Sequence, residues 1–387
     1  MDNQSTAIES DEAELIGEFE DRIDLWKKEP HTEAKHKILD GYLKAWFPIL
    51  GSANKRIIYL DGFAGPGEYE DGEDGSPIIA LKIAKDHKLK EHRILKNTEI
   101  LFYFIDKNKE YCRYLERKIN KLVLPSNLKF IIEFAEFDEH LTTVLDQLED
   151  ANSNLAPTFA FIDPFGYSDT PLSVISRFMK NPHCEVFINF MVGAINRWAI
   201  DPQKAIALDQ LFGTNKWESL AEIHDSLERI NAYADLYENQ LKTVANIKFV
   251  RRFLMINKFN QPLYFLFFGT NNNLGLGAMK RAMWDLNLSN GNVFSDRTDP
   301  CQAVLFKQEP DYDPLRNALI AKFKGKTVPI EEVYEFVLTE TSYMHDRHLR
   351  KHVLIPLEDE GSISVYSKNS QGKRRKHTYK DCYIKIN

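Results

Sequence analysis

The sequence has few cysteines and no excess of basic residues. Its 387 residues include four cysteines, and none of them forms a CxxC pair, so we predict neither a metal centre nor a disulfide framework. Lys and Arg number 50 against 57 Asp and Glu, which gives a net charge of −7. Any binding to nucleic acid must therefore come from a local basic patch rather than from the whole surface.

Long apolar runs and phosphate-binding signatures are also missing. No apolar run approaches the roughly 20 residues that span a bilayer. The acidic segment Met1–Asp24 lacks the apolar core of a secretory signal. We therefore expect a soluble protein of the cytoplasm with no membrane partner. The chain contains no GxxxxGK[ST] and no GxGxxG, which excludes a P-loop and disfavours a dinucleotide site.

Short, continuously apolar segments alternate with helical patterns along the first half of the chain. Such strands are typical of a parallel sheet covered on both faces. They are expected at residues 57–60, 100–105, 128–134, 158–162 and 185–191, after an amphipathic helix at 31–50. Two later strands, 249–256 and 263–268, are joined by a turn too short for a crossover helix and should be antiparallel. This pattern predicts a doubly wound, Rossmann-like sheet of seven strands, as in methyltransferases.

Three further regions complete the predicted organisation. The stretch before Pro30 is expected to contain an entry helix, and a mostly helical insertion is expected at about 194–247, within a first domain of residues 1–310. Residues 311–387 predict three short helices and a β-hairpin, the outline of a winged helix, in which Pro356 should end or kink the third helix. The basic run Lys373-Arg374-Arg375-Lys376 lies at the tip of the wing, where it could follow a phosphate backbone with help from Arg347, Arg350 and Lys351. A solvated loop tip or a protein-docking role is an equally open alternative.

The strongest local motif directly follows the first strand. It reads Asp61-Gly62-Phe63-Ala64-Gly65-Pro66-Gly67, and its glycines allow a tight turn and a close approach of backbone to a ligand. Asp106 ends the second strand, where a carboxylate can accept both ribose hydroxyls of an adenosine. S-Adenosylmethionine carries no phosphate, so it suits this turn better than a nucleotide does.

Two other strand ends carry candidate residues. The third strand leads into Glu136-Phe137-Asp138, where an acid and an aromatic ring could hold an adenine, although Asp138 could instead be a helix N-cap. The fourth ends in Asp163-Pro164-Phe165-Gly166. Asp163 and the Pro164 carbonyl could accept the two N–H bonds of an exocyclic amine, while Phe165 stacks on its base. The alternative is a strand end in which Asp163 caps the backbone and Phe165 lies in the core.

Two residue pairs outside these motifs could also reach the site. Lys35-His36 lies on the helix before the sheet, which could fold over the cofactor, and Arg197-Trp198 follows the fifth strand, where Trp198 could stack on a substrate. A structural role in the core or on the surface is the more common one for each pair.

Several of these stretches resemble the three-Cys-motif partner family, predicted methyltransferases of bacteria and archaea. The matching segments are His31-Thr32, Lys35-His36, Ile38-Leu39, Tyr42-Leu43, Trp46, Asp61–Tyr69, Gly75-Ser76-Pro77, Ala80-Leu81, Phe161–Gly166, Met279 and Met283-Trp284. The resemblance implies S-adenosylmethionine as cofactor, with contacts at Asp61, Gly65, Gly67 and Asp106. It also implies a protein partner that bears a three-cysteine motif. The Asp163-Pro164-Phe165-Gly166 run is similar to that of tRNA guanine-N2 dimethyltransferases and to the D-P-P-Y motif of amino methyltransferases.

These observations combine into one functional hypothesis with two alternatives. We expect methyl transfer from S-adenosylmethionine to an exocyclic amine of a nucleic-acid base. The catalytic run is Asp163, Pro164, Phe165 and Gly166. The cofactor set is Asp61, Gly62, Phe63, Ala64, Gly65, Gly67, Asp106, Lys107, Glu136 and Phe137. The alternatives are a cofactor-binding partner subunit without catalysis and a methyltransferase for small molecules or proteins.

Overall fold

The computed structural model describes residues 23–287, 291–296, 310–368 and 376–387. The strands of its main sheet are β1 (Arg56–Asp61), β2 (Glu99–Asp106), β3 (Leu128–Phe134), β4 (Thr158–Ile162), β5 (Glu185–Phe190), β6 (Phe249–Ile256), β7 (Pro262–Thr270) and β8 (Val293–Ser295). Their order is β3-β2-β1-β4-β5-β7-β6-β8. Strands β1 to β5 are parallel, and β7 runs antiparallel to both β5 and β6. The predicted doubly wound sheet is confirmed, with one strand more than expected.

Helices cover both faces of this sheet. They are α1 (Pro30–Gly51), α2 (Ser76–Lys85), α3 (Arg93–Lys96), α4 (Lys109–Asn120), α5 (Phe137–Asp150), α6 (Leu172–Met179), α7 (Val192–Trp198), α8 (Ala205–Phe212), α9 (Trp217–Leu220), α10 (Ser226–Thr243) and α11 (Asn273–Leu286). One buried core lies between the sheet and α1, α2 and α11, and a second lies under α5, α6, α8 and α10. Helices α7 to α10 form the helical insertion between β5 and β6.

The structure corrects three local expectations, which concern a helix cap, the entry helix and the number of strands. Asp138 is not an N-cap, because α5 begins one residue earlier at Phe137 and Glu136 holds the cap position. Residues 23–29, which we call the N-terminal strap, have no regular secondary structure, so the entry helix is wrong for this part of the stretch. Strand β8 was not expected, because three residues are too few to show an alternating pattern.

The C-terminal region folds as a winged helix. Its elements are α12 (Asp313–Phe323), β9 (Thr327–Pro329), α13 (Ile330–Glu340), a π-helical segment (His345–Leu354), α14 (Ile355–Asp359), β10 (Ile363–Ser367) and β11 (Cys382–Ile386). The small sheet has the order β10-β11-β9. Pro356 does not end the third helix: it lies in the first turn of α14, directly after the π-helical segment, so the helix type changes just before it.

Helix α11 joins the main sheet to the winged helix. The buried Lys280 ammonium donates to the carbonyls of Val337, Leu338 and Thr341 at 2.8, 2.9 and 3.0 Å, at the carboxyl end of α13. The ring of Trp284 belongs to the winged-helix core, and its indole N–H donates to the Ser342 carbonyl at 2.6 Å. Helix α11 therefore packs with Met279 and Met283 against the main sheet and with Trp284 in the core of the winged helix.

None of the helices in the described ranges combines the length and the apolar character that crossing a membrane would require.

Candidate active site

The glycine-rich turn after β1 is fixed to the end of β2. Gly65 and Gly67 have φ angles of +60° and +75°, a left-handed conformation that glycine adopts without strain. The Gly65 N–H donates to Asp106 Oδ2 at 2.8 Å, and the Ala64 N–H donates to the Ile105 carbonyl at 3.0 Å. The sequence brings the turn and Asp106 together, as predicted, because their parent strands are neighbours.

Among the described residues, each carboxylate oxygen of Asp106 accepts one hydrogen bond. Its Oδ1 accepts the Asn108 N–H at 2.7 Å, which leaves each oxygen a lone pair for a further donor. Burial raises the pKa of Asp106, while the bonds from Asn108 and Gly65 oppose that rise. The Nζ atom of the neighbouring Lys107 lies 3.3 Å from Asp169 Oδ2 and 3.7 Å from Glu136 Oε2, so Lys107 pairs with two carboxylates.

Asp61 lies beneath the turn and does not line its cavity. It is fully buried, accepts the Tyr59 hydroxyl at 3.2 Å and the Phe63 N–H at 3.4 Å, and has no contact with water. Burial is the main reason that the pKa of Asp61 rises to about 7, and the charge of Asp163 adds to it. A direct cofactor contact by Asp61 therefore stays a prediction.

Two adjoining cavities open at this edge of the sheet. The glycine-loop cavity, of about 260 Å³, is lined by the turn from Phe63 to Glu68 and by Lys35, Asp163, Asn189 and Tyr264. The β2–β3 cavity, of about 660 Å³, is lined by Gly62, Asp106, Lys107, Glu136 and Phe137 among others. The Phe63 and Phe137 rings lie 5.3 Å apart, and a Cβ at Gly62 would come within 2.5 Å of the Phe137 ring. Gly62 therefore has to be glycine for Phe137 to pack there.

Asp163 is held by two buried donors. Lys35 forms an ion pair with its Oδ2, and the Asn189 amide donates to its Oδ1 at 2.6 Å. The Oδ1 atom of Asn189 is buried and has no hydrogen-bond partner among the described residues. Of the two alternatives for the Lys35-His36 pair, Lys35 follows the one in which α1 reaches the site, because it lines the cavity.

Pro164 and Phe165 line the same cavity, and Gly166 has open space around it. The Phe165 side chain is 68% exposed, so the alternative that buries it in the core is wrong. Its ring lies 4.9 Å from that of Trp26 in the N-terminal strap. Trp26 also packs against Tyr111 at 5.2 Å and lies over Gly65, so the strap covers the boundary between the two cavities.

The first turns of α1 present His31, Thr32 and Lys35 to the glycine-loop cavity. The His31 Nδ1 atom lies 3.1 Å from Asp296 Oδ2. The Tyr264 hydroxyl donates to the His31 carbonyl at 3.2 Å, and burial raises the pKa of Tyr264 well above its usual range. His36, by contrast, is buried, and desolvation holds its pKa well below the usual value.

A third cavity adjoins the first two. This insertion cavity, of about 820 Å³, is lined by Arg197 and Trp198 of α7 and shares His31, Phe165 and Tyr264 with the glycine-loop cavity. Trp198 is 44% exposed, and Arg197 has no ion-pair partner within the described ranges. Arg197 and Trp198 therefore line a cavity, although a structural role was the more common expectation for such a pair.

Three residues of the basic face predicted on the winged helix, Arg347, Arg350 and Lys376, contact other parts of the protein. Lys373, Arg374 and Arg375 lie outside the described residues, and Lys376 pairs with Asp359. Arg347 pairs with Asp285 of α11 at 2.5 Å, and Arg350 donates to the His377 carbonyl at 3.2 Å. The start of the third helix thus forms exposed ion pairs with α11, through Arg347–Asp285 and Asp346–Arg281.

Sequence patterns had missed Trp26, His31, Asn189, Tyr264 and Asp296. A signal existed for Asn189, which is an isolated amide at the carboxyl end of a buried strand beside β4. Lys35 also lies on the buried face of α1, four residues before Leu39. The strap and Asp296 gave no signal, because neither lies in a periodic segment.

Comparisons with known proteins locate one domain. A family model described as a GMT-like wHTH domain matches residues 293–370. No curated protein sequence matches the chain.

Solved structures that resemble the chain are remote. An O-methyltransferase from Bacillus cereus in complex with SAH is 12% identical with a TM-score of 0.33, covering 70% of this chain and 93% of that one. A SAM-dependent methyltransferase from Methanosarcina mazei is 15% identical with a TM-score of 0.23, covering 56% and 92%. At these scores the fold class rests on the strand order of the chain itself.

Proposed function

We propose that the chain is a methyltransferase that binds S-adenosylmethionine and methylates an exocyclic amine of a nucleic-acid base. One observation carries the proposal: the Asp163-Pro164-Phe165 run and the glycine turn line the same cavity. A cofactor loop and an amine-holding motif are thereby side by side, as transfer between two bound molecules requires.

The residues of the β2–β3 cavity fit the adenosine part of the cofactor. Asp106 keeps a lone pair on each oxygen for the two ribose hydroxyls, since the Gly65 and Asn108 N–H groups use only one each. The Phe63 and Phe137 rings provide an apolar wall for a purine. The cofactor's charged amino-acid end would extend toward the glycine-loop cavity, where Lys35 is a buried cation.

The cofactor, when bound, supplies an electrophilic methyl group whose sulfonium leaves as a neutral thioether. The protein's task is then mainly to exclude water and to orient the acceptor. Asp163 and the Pro164 carbonyl, which line the glycine-loop cavity, would accept the two N–H bonds of an amine. Phe165, exposed beside them, offers a face on which a base can stack, a contact worth about 1–3 kcal/mol.

The nucleic-acid target is supported by the aromatic rim and by the winged helix. Phe165 and Trp198 both border the insertion cavity with Arg197, a combination suited to a flat base and its phosphate. A winged helix is a common nucleic-acid reader. Its Arg347 forms an exposed ion pair with Asp285, and most of the basic run expected to follow a phosphate backbone lies outside the described residues. A partner protein with a three-cysteine motif remains part of the proposal through the family resemblance.

Methyl transfer can be tested with labelled S-adenosylmethionine and total cellular RNA, DNA and protein. Wild type should label a nucleic-acid fraction, and Asp163→Ala should lower the rate at least about 100-fold while leaving the dissociation constant of S-adenosylhomocysteine within about threefold. Asp163→Asn, which preserves volume beside Lys35, separates loss of the charge from loss of packing. Ser168→Ala on the same loop is the matched control, because that side chain is exposed.

Each result of this assay decides between the proposed function and its alternatives. Label in protein or in small molecules alone would replace the nucleic-acid target. Cofactor binding without label in any fraction would favour the partner-subunit function. Full activity in Asp163→Ala would remove Asp163 from the acceptor site.

A further inference from the structure

His31 and Asp296 form an acid–imidazole pair at the border of two cavities. His31 lines both the glycine-loop and the insertion cavity, and its Nδ1 atom lies 3.1 Å from Asp296 Oδ2. The two residues are 265 positions apart in the chain, and no motif joins them. A carboxylate on Nδ1 keeps the proton on that nitrogen and leaves the Nε2 lone pair available.

Both members of the pair are fixed by the backbone around them. His31 lies in the first turn of α1, and its carbonyl accepts the Tyr264 hydroxyl at 3.2 Å. The Asp296 N–H donates to the Ile256 carbonyl at 3.0 Å, which anchors Asp296 to the end of β6. Its side chain is 10% exposed, so the carboxylate has little water to compete with the imidazole.

Asp163, Glu68 and Tyr264 of the glycine-loop cavity are already engaged. Both Asp163 oxygens are held, by Lys35 and by Asn189, so protonating Asp163 would break an ion pair. Glu68 accepts the Tyr114 hydroxyl at 2.7 Å and pairs with Lys118 at 2.9 Å. Tyr264 keeps its proton, because burial raises its pKa well above the usual value. The His31 Nε2 atom makes no hydrogen bond to any described residue.

We propose that His31, oriented by Asp296, is the base that takes the proton released by the methyl acceptor; this inference rests on the proposed methyl transfer. As the acceptor nitrogen forms its bond to the methyl carbon, the carbon–sulfur bond breaks and its electron pair stays on sulfur. The acceptor N–H bond then breaks with its electron pair left on nitrogen, and the proton passes to His31 Nε2 and on to solvent. Asp163, Asn189 and Lys35 orient the acceptor throughout.

The kinetic test uses the full chain with the nucleic-acid acceptor found above. His31→Gln, which keeps the volume, should lower kcat about 100-fold with the acceptor KM and the S-adenosylhomocysteine dissociation constant changed less than about threefold. Added imidazole should restore part of the rate of His31→Ala. Asp296→Asn should lower kcat less than His31→Gln does. His224→Gln, an exposed histidine in the insertion, is the matched control.

A second readout needs no activity. The ¹⁵N shifts of histidine-labelled, cofactor-free protein should give His31 as the Nδ1–H tautomer, with assignment by comparison to His31→Gln, and Asp296→Asn should shift it toward Nε2–H. A wild type that transfers methyl while His31→Gln keeps its rate would overturn the inference and leave the proposed function intact. An Nε2–H tautomer in wild type would also overturn it. A wild type inactive on every acceptor would instead overturn the proposed function.

Discussion

At the scale of single residues, Asp61 is a carboxyl group without access to water. Burial raises its pKa from 3.8 to about 7, so between these values the folded chain holds a proton that the unfolded chain releases. The free energy of unfolding should therefore fall as the pH rises from about 4 to about 7, and this loss should be complete above that range. The contribution is on the order of a few kcal/mol.

The measurement is denaturant unfolding of wild type and Asp61→Asn at pH 5, 6, 7 and 8. The difference in stability between them isolates Asp61 from other titrating groups, and Asn should gain on wild type across this range. Parallel pH profiles for the two proteins would show that Asp61 is ionised and paired at every pH tested.

Some residues of the candidate site could be predicted from the sequence, and others could not. Asp106 and Asp163 follow directly from strands, so their meeting at one sheet edge follows from parallel pairing. Lys35, Asn189, His31 and Asp296 come together only through tertiary packing, from positions that range from 31 to 296 in the chain. No spacing rule encodes such a meeting, because it depends on how α1 and β8 pack against the sheet.

At the scale of elements, the N-terminal strap is the segment that sequence patterns could not predict. Most strands and helices were predicted because their apolar patterns are strong. Helix α4, for example, begins just after β2 and is capped by Asn108. The strap has no period. It is held by side chains and single backbone bonds, such as the one from the Glu70 N–H to the Trp26 carbonyl at 2.9 Å.

Removing the Trp26 ring should open the boundary between the glycine-loop and β2–β3 cavities. Trp26→Ala loses two aromatic contacts and the cover over Gly65, so the S-adenosylhomocysteine dissociation constant should rise about tenfold in calorimetric titration. Trp198→Ala is the control, since Trp198 lines only the insertion cavity among the three. Equal affinities in wild type and Trp26→Ala would mean that the strap does not cover bound cofactor.

At the scale of the whole molecule, Lys280 links the two folded units. Its ammonium satisfies three carbonyls at the end of α13, and burial lowers its pKa well below the usual value. Lys280→Met would leave the Leu338 and Thr341 carbonyls without this donor, at a cost of about 1–3 kcal/mol for each group that finds no water, while the Val337 carbonyl keeps the Thr341 hydroxyl as a donor.

Calorimetric unfolding should reveal this coupling. Wild type should unfold in one transition, and Lys280→Met should show an earlier transition of the winged helix. Lys242→Met, which removes an exposed pair with Glu238, should leave the profile unchanged. A single transition at the wild-type temperature in Lys280→Met would show that Trp284 and its neighbours suffice to join the units.

Phe165 lines all three cavities, and its ring packs on the strap that covers two of them. A base stacked on Phe165 would therefore close the passage through which the cofactor exchanges. Under the proposed function, cofactor would therefore have to load before the acceptor arrives. The methylated product would depart before spent cofactor is replaced, so turnover would transfer one methyl group per visit of the nucleic acid.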